Sequence, residues 1–207
     1  PASSHALTYT WLEERKIKRA ESTAVRLQKQ YPYNIINLQL LGRIYMYQNR
    51  FAKSEQTFKR VLNIDSKNRR VHYYLGRLYL RWRKNNMAYK HLNRYLQYSL
   101  SDSHKGYAFY YMGHVYSRKK EYAKAEEDLV KITNYLEPST RTWPVILDAA
   151  ITRNQINLEK AEDARKTKDW ELADQYTDAY RTGLLQDRNV MGAGALDLGR
   201  PGLAETE

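Results

Sequence analysis

Apolar positions recur at helical spacing along most of this chain, and the pattern itself comes back at a fixed interval. In the stretch from Asn37 to Asp65, NLQLLGRIYMYQNRFAKSEQTFKRVLNID, the segment LLGRIY returns 34 residues later as YLGRLY and again further on as YMGHVY. Placing Gly42 and Gly76 at place 8 of a 34-residue unit gives units at 35–68 and 69–102, with a third at 106–139 after a short insertion in SDSHK. Leu41, Leu75 and Met112 then share place 7, Gly42, Gly76 and Gly113 share place 8, and Tyr45, Tyr79 and Tyr116 share place 11. The register continues with Phe51 and Tyr122 at place 17, Ala88 and Ala125 at place 20, and Phe58, Leu92 and Leu129 at place 24. Small residues at places 8 and 20 suit two antiparallel helices whose backbones approach closely. The larger apolar places at helical spacing supply the buried stripe. Each unit is therefore expected to be a helical hairpin.

With Leu-Gly, Tyr, Ala and Phe at these places, the sequence resembles the tetratricopeptide repeat family, whose 34-residue unit is a helix-turn-helix. The resemblance implies an all-α fold, a right-handed superhelical solenoid of antiparallel helix pairs. Carried backwards, the phase gives a degenerate unit at 1–34, with Leu7, Trp11, Ala20 and Pro32 in register but Thr8 where glycine is usual. Carried forwards, it gives a unit at 154–187 with Ala161, Ala164, Trp170 and Ala173 at places 8, 11, 17 and 20. Between them, TRTWPVILDAAITRN falls out of phase and has no breaker after Pro144, a residue suited to a first helical turn. A long helix from about Val145 to Lys168 is expected there. One repeat domain thus spans 1–187, and the Gly-rich residues 188–207 read as a flexible tail.

Composition narrows the picture. No run approaches the roughly 18 consecutive apolar residues of a membrane span, and PASSHALTYTWLEERK lacks the charged start and apolar stretch of a signal peptide. With no cysteine, disulfides, thiol catalysis and thiolate metal sites are excluded, but the compartment stays open between the cytoplasm and, with a leader removed, export. The formal charge of +12 is unevenly placed: residues 1–105 hold 21 Lys/Arg against 6 Asp/Glu, net +15, while 106–207 hold 14 against 17, net −3. A basic half draws anionic partners without saying which anion.

Signals of catalysis are sparse. The five histidines, His5, His72, His91, His104 and His114, have no paired metal-ligand spacing. GAGALDLG lacks the spacing and the strand-helix context of a dinucleotide loop. Glu126, Glu127 and Asp128 read as a solvated helix face. The chain is expected not to be an enzyme and to carry no cofactor or metal.

In the family it resembles, places 2, 5, 9, 12 and 13 of the first helix of each unit face the concave side. The resemblance implies a partner-binding groove of Gln39, Arg43 and Tyr47, then Arg70, Tyr73, Arg77 and Arg81, then Tyr107, Tyr110, His114 and Arg118. Arginine offers a planar fork of donors to anions, and tyrosine a rigid face with a hydroxyl at its edge. Successive arginines such as Arg43 and Arg77 would meet anions about three residues apart in an extended peptide. The chaperone-tail clamp of some family members is missing, since its places hold Gln39, Arg43, Tyr74, Tyr107 and Tyr111. Two functions follow: a scaffold that binds an acidic peptide or protein segment in this groove, or a binder of an anionic polymer, nucleic acid or acidic polysaccharide, through the basic half.

Overall fold

The computed structural model describes residues 2–14, 16–99, 101–139 and 142–197, and among these every regular element is helical. The chain divides into two compact units, Pro1–Ser99 and Leu100–Glu207. The first unit is three antiparallel hairpins: α1 (Ala2–Glu13) with α2 (Ile17–Gln30), α3 (Ile35–Tyr47) with α4 (Phe51–Ile64), and α5 (Arg69–Arg81) with α6 (Asn85–Gln97). The second pairs α7 (Asp102–Arg118) with α8 (Tyr122–Lys131), which ends in a single 3-10 turn, and α9 (Trp143–Lys166) with α10 (Trp170–Asp197).

Three of the hairpins close on a contact between places 8 and 24. A Cβ added at Gly42 would stand 2.5 Å from the Phe58 ring, one at Gly76 2.5 Å from Leu92, and one at Gly113 2.6 Å from Leu129. The glycine is thus the seat for a large side chain of the facing helix. Place 20 is small for the same reason: Ala88 and Ala125 are fully buried, and Ser54 turns its hydroxyl onto the Gly42 carbonyl at 2.8 Å. In the first hairpin Thr8 and Ala24 are both fully buried, so the larger residue stands at place 8 and the smaller at place 24, an exchange of sizes. That exchange accounts for the odd Thr8 of the degenerate unit.

Asn34 and Asn68, at place 34, cap the helices that follow, their side chains accepting from the backbone amides of Asn37 and Val71. Within the hairpins the turn residue is left-handed without being glycine: Asn49, Arg83, Lys120 and Lys168 have φ of 58°, 58°, 60° and 61°. The amide that follows each closes the turn, as from Arg50 to the Tyr45 carbonyl and from Lys84 to the Tyr79 carbonyl, both at 2.9 Å. Left-handed backbone costs a residue with a Cβ about 1–2 kcal/mol, against which glycine's extra chain entropy is smaller. Replacing the exposed Arg83 by Gly is therefore expected to stabilise the protein by about 1 kcal/mol, read as a rise in the denaturation midpoint. A fall in the midpoint would contradict the turn geometry.

The α5–α6 hairpin also buries two histidines. His72 and His91 stack with ring centroids 5.2 Å apart, their Nδ1 atoms 3.0 Å from each other, and His72 Nε2 lies 3.2 Å from the Ser66 carbonyl. A carbonyl only accepts, so His72 Nε2 carries its proton, His72 Nδ1 is the acceptor, and His91 Nδ1–H is the donor. Burial is the first cause that depresses both groups, His91 down to about 4.

In the second unit the long helix expected from about Val145 to Lys168 runs from Trp143 to Lys166. Its first turns pack Val145, Ile146 and Ala149 against α7 and α8, and its last turns bury Ala161 and Ala164 on the side where α10 buries Ala173. Helix α10 continues past residue 188, where the sequence suggested a tail, as far as Asp197. Gly192 and Gly194 cost a helix only about 1 kcal/mol each relative to alanine, and Met191, Ala193, Ala195 and Leu196 around them favour it. The rest of that expected tail, 198–207, lies outside the described residues.

Candidate functional site

In the first unit the first helices α1, α3 and α5 bring together arginines and tyrosines. Arg43 on α3 is only 8% exposed, its guanidinium 5.0 Å from the centroid of Tyr9 on α1 and 5.3 Å from that of Tyr74 on α5. Tyr74 stacks on Phe58 at 5.7 Å, which fixes its plane. Beside it, Arg77 lies 5.3 Å over Tyr73, whose ring also leans on Tyr74 and Tyr95. Burial pushes the Tyr74 hydroxyl above its usual range, and Arg43, Arg70 and Arg77 pull it back. Two of these cations have a ring contact, Arg43 with Tyr74 and Arg77 with Tyr73.

The groove residues inferred from the sequence divide by what they touch. Gln39 is buried and donates at 2.9 Å to Asn68 Oδ1, the same atom that caps α5, so it ties two hairpins together. Arg43, as a buried cation between the rings of Tyr9 and Tyr74, is also bound up in the packing. The exposed members are Tyr47, Arg70 and Arg81, with Arg81 reaching Asn49 at 2.7 Å, and Tyr73 and Arg77 are half-buried.

In the second unit Tyr107 is half-buried in the core cluster shared by α7, α8 and α9. Tyr110 donates to Asp148 Oδ2 at 2.6 Å, and His114 Nε2 is 3.0 Å from the same oxygen. The His114 hydrogen bond first, and that of Tyr110 after burial is offset, hold the Asp148 carboxyl below its usual range. These two predicted ligand-facing residues thus join α7 to α9, while Arg118 is exposed. Sequence reasoning missed Tyr9, Tyr74 and Asp148. The signal was there for Tyr74, at place 6 one turn from the groove places, and Asp148 takes the same place once Trp143 is counted as place 1.

Chemically, the α3–α5 face offers guanidinium forks beside tyrosine rings, a combination that grips carboxylates and flat apolar groups. Among the described residues no three His, Asp or Glu side chains are grouped to hold a metal ion, and no helix is long and apolar enough to cross a membrane.

Residues 37–68 match the family model of the tetratricopeptide repeat. No curated protein matches the sequence. Among solved structures the chain is similar to PilF of Pseudomonas aeruginosa, with a TM-score of 0.66 and 16% identity, covering 98% of this chain and 86% of that one. It is likewise similar to MamA of Desulfovibrio magneticus RS-1, with a TM-score of 0.67, 12% identity, and 91% and 95% of the two chains covered. A third is YrrB, a tetratricopeptide-repeat protein with an unusual peptide-binding site, at a TM-score of 0.60, 12% identity, and 92% and 89% covered. The unit at 37–68 is a tetratricopeptide repeat, and the chain has the fold of tetratricopeptide-repeat proteins.

Proposed function

We propose that this chain is a non-catalytic scaffold that holds a segment of another protein against the α3–α5 face. The observation that carries it is the pairing of guanidinium groups with tyrosine rings, Arg43 5.3 Å from the Tyr74 ring and Arg77 5.3 Å over Tyr73, with exposed Arg70 one turn before Tyr74 on the same helix. The segment bears a carboxylate for Arg70 and Arg77 and an apolar or aromatic group for the rings of Tyr73 and Tyr74. The fold favours such work, since stacked hairpins present long, rigid surfaces. Its likeness to YrrB, a protein described by its peptide-binding site, points the same way.

Arg43 is unsuitable as a probe because its burial couples it to folding. Exposed Arg70 and half-buried Arg77 are better. Each Arg→Ala change is expected to weaken an acidic, aromatic-containing peptide about tenfold, the effect of losing a charge-assisted contact of roughly 1.5 kcal/mol. The melting temperature should hardly move for Arg70→Ala, since an exposed arginine contributes little to folding. Titration calorimetry with peptides of matched length, acidic and neutralised, checks this. Equal affinity of the wild type and the Arg70→Ala/Arg77→Ala protein for every acidic peptide would refute the site.

A further inference from the structure

A second surface of the first unit lies apart from the α3–α5 arginine–tyrosine face, on the outer helices α2, α4 and α6. Each carries an exposed arginine at place 26: Arg26, Arg60 and Arg94. Arg60 donates to the Pro32 carbonyl in the α2–α3 loop at 3.0 Å, which places it against that loop. Arg94 and Asp65, the first residue of the α4–α5 loop, both act electrostatically on His72, whose Nε2 lies 3.2 Å from the Ser66 carbonyl of that loop. The three arginines thus recur at one place of successive outer helices, along one flank of the unit.

Large apolar side chains are exposed on the same flank. Tyr33 beside Pro32 is 79% exposed. Ile64, one turn beyond Arg60 on the same helix face, is 46% exposed, and Tyr31 stands at the other end of the Pro32 loop. Exposed Lys29 and Lys67 flank these tips.

The charge around them is lopsided. Residues 1–99 hold 20 Lys/Arg against 5 Asp/Glu, net +15. Glu14, Glu21 and Glu55 are paired with Lys16, Arg50 and Lys59, and Asp65 accepts from Asn68, so these acids are spent inside the unit. A flank with a positive field, basic side chains at intervals and protruding tyrosine and isoleucine tips matches a soft anionic boundary. Tyrosine rings settle at headgroup depth, isoleucines reach the acyl boundary, and arginines stay with the headgroup phosphates. A nucleic acid would use the arginines and tyrosines but has nothing for Ile64.

We propose that the outer-helix flank of the first unit, Arg26, Arg60 and Arg94 with Tyr33 and Ile64, docks peripherally on an anionic lipid surface. Docking there leaves the α3–α5 face to its protein segment, so the two functions fail independently. The test is cosedimentation of the full chain with phosphatidylcholine vesicles, with and without phosphatidylserine, at two salt concentrations. Wild type should bind only the anionic vesicles and lose binding as salt rises. Arg26→Ala/Arg60→Ala/Arg94→Ala should bind on the order of 100-fold more weakly, because each basic residue near such a surface is worth about 1 kcal/mol. Tyr33→Ser/Ile64→Ser keeps every charge and should still bind at least tenfold more weakly, whereas Arg70→Ala/Arg77→Ala should bind vesicles nearly as wild type does. Circular dichroism confirms that each variant is folded. No binding to anionic vesicles overturns the proposal. So does binding that ignores the Tyr33→Ser/Ile64→Ser change, which would make the flank a general polyanion or acidic-protein site.

Discussion

Gly76→Leu should lower the stability of the protein by about 3 kcal/mol or more, close to the upper end of what overpacking a core costs. Even a Cβ at this position would stand 2.5 Å from Leu92 Cδ2 and 2.6 Å from its Cγ, and both Gly76 and Leu92 are buried. Leucine adds three more heavy atoms beyond that already crowded Cβ, so α5 and α6 are expected to move apart. A paired change tests the cause. Gly76→Ala/Leu92→Ala copies the small pairing seen at Thr8 and Ala24 and should recover part of what Gly76→Ala alone loses. Chemical denaturation of the wild type, the two single variants and the double variant reads the coupling. An unchanged midpoint for Gly76→Leu would mean that places 8 and 24 do not meet.

The buried histidine pair should make the α5–α6 hairpin loosen as pH falls from about 6.5 towards 4. Both histidines have folded-state values below the ordinary 6.5, His91 at about 4. The unfolded chain therefore binds more protons within this window, and stability falls as pH falls through it. Above about 6.5 the contribution is complete. Protonating His72 Nδ1 would turn its 3.0 Å bond with His91 Nδ1 into two donors facing each other. The neighbours oppose the charge as well, Lys59 from α4 and Lys90 and Arg94 from α6, while the Ser66 carbonyl and Asp65 favour it on His72. The expected loss for His91 is about 3 kcal/mol, since each tenfold drop in proton affinity on folding is worth roughly 1.4 kcal/mol.

A global melting curve would blur that loss. Burial lifts the Asp128 carboxyl on α8 to about 6, so the folded second unit binds protons more readily than the unfolded chain as pH falls through the same range, and is stabilised by it. Hydrogen exchange resolved to α5 and α6 separates the two. Amides of α5–α6 should exchange faster at pH 5 than at pH 7 after correction for intrinsic rates, and His91→Leu should remove most of the difference. Protection that is flat with pH in the wild type, or an equal slope in His91→Leu, would rule the pair out as the cause.

The hairpins were legible because their signals are local and repeated. A glycine opposite a large apolar residue, with a small residue at place 20, is a demand of close helix packing, and it recurs at one spacing from Gly42 to Leu129. The turns were not legible: Asn49, Arg83 and Lys120 hold left-handed backbone that glycine normally marks, because the packing of the paired helices dictates the turn. The register of the last hairpin was half-legible. Counting from Ala161 found the α10 pairing, but the first turns of α9 serve α7 and α8, and one 24-residue helix meets two partners.

For the site, the sequence by itself determined the ingredients: arginines and tyrosines at recurrent places of the first helices, a first half with net +15 over residues 1–105, and helices throughout. These follow from composition and period, which tertiary contacts cannot alter. Only the tertiary structure decided which of those side chains face outward. Gln39 went to the α5 cap, Arg43 between Tyr9 and Tyr74, and Tyr110 and His114 to Asp148, whereas Arg70 and Arg81 stayed exposed. A place in a repeat fixes a direction from its own helix, but a long polar side chain pointing that way bonds to whatever the next helix brings within about 3 Å. That neighbour lies about 30 or more residues away in sequence, with Tyr110 and Asp148 38 apart, and no local pattern specifies it.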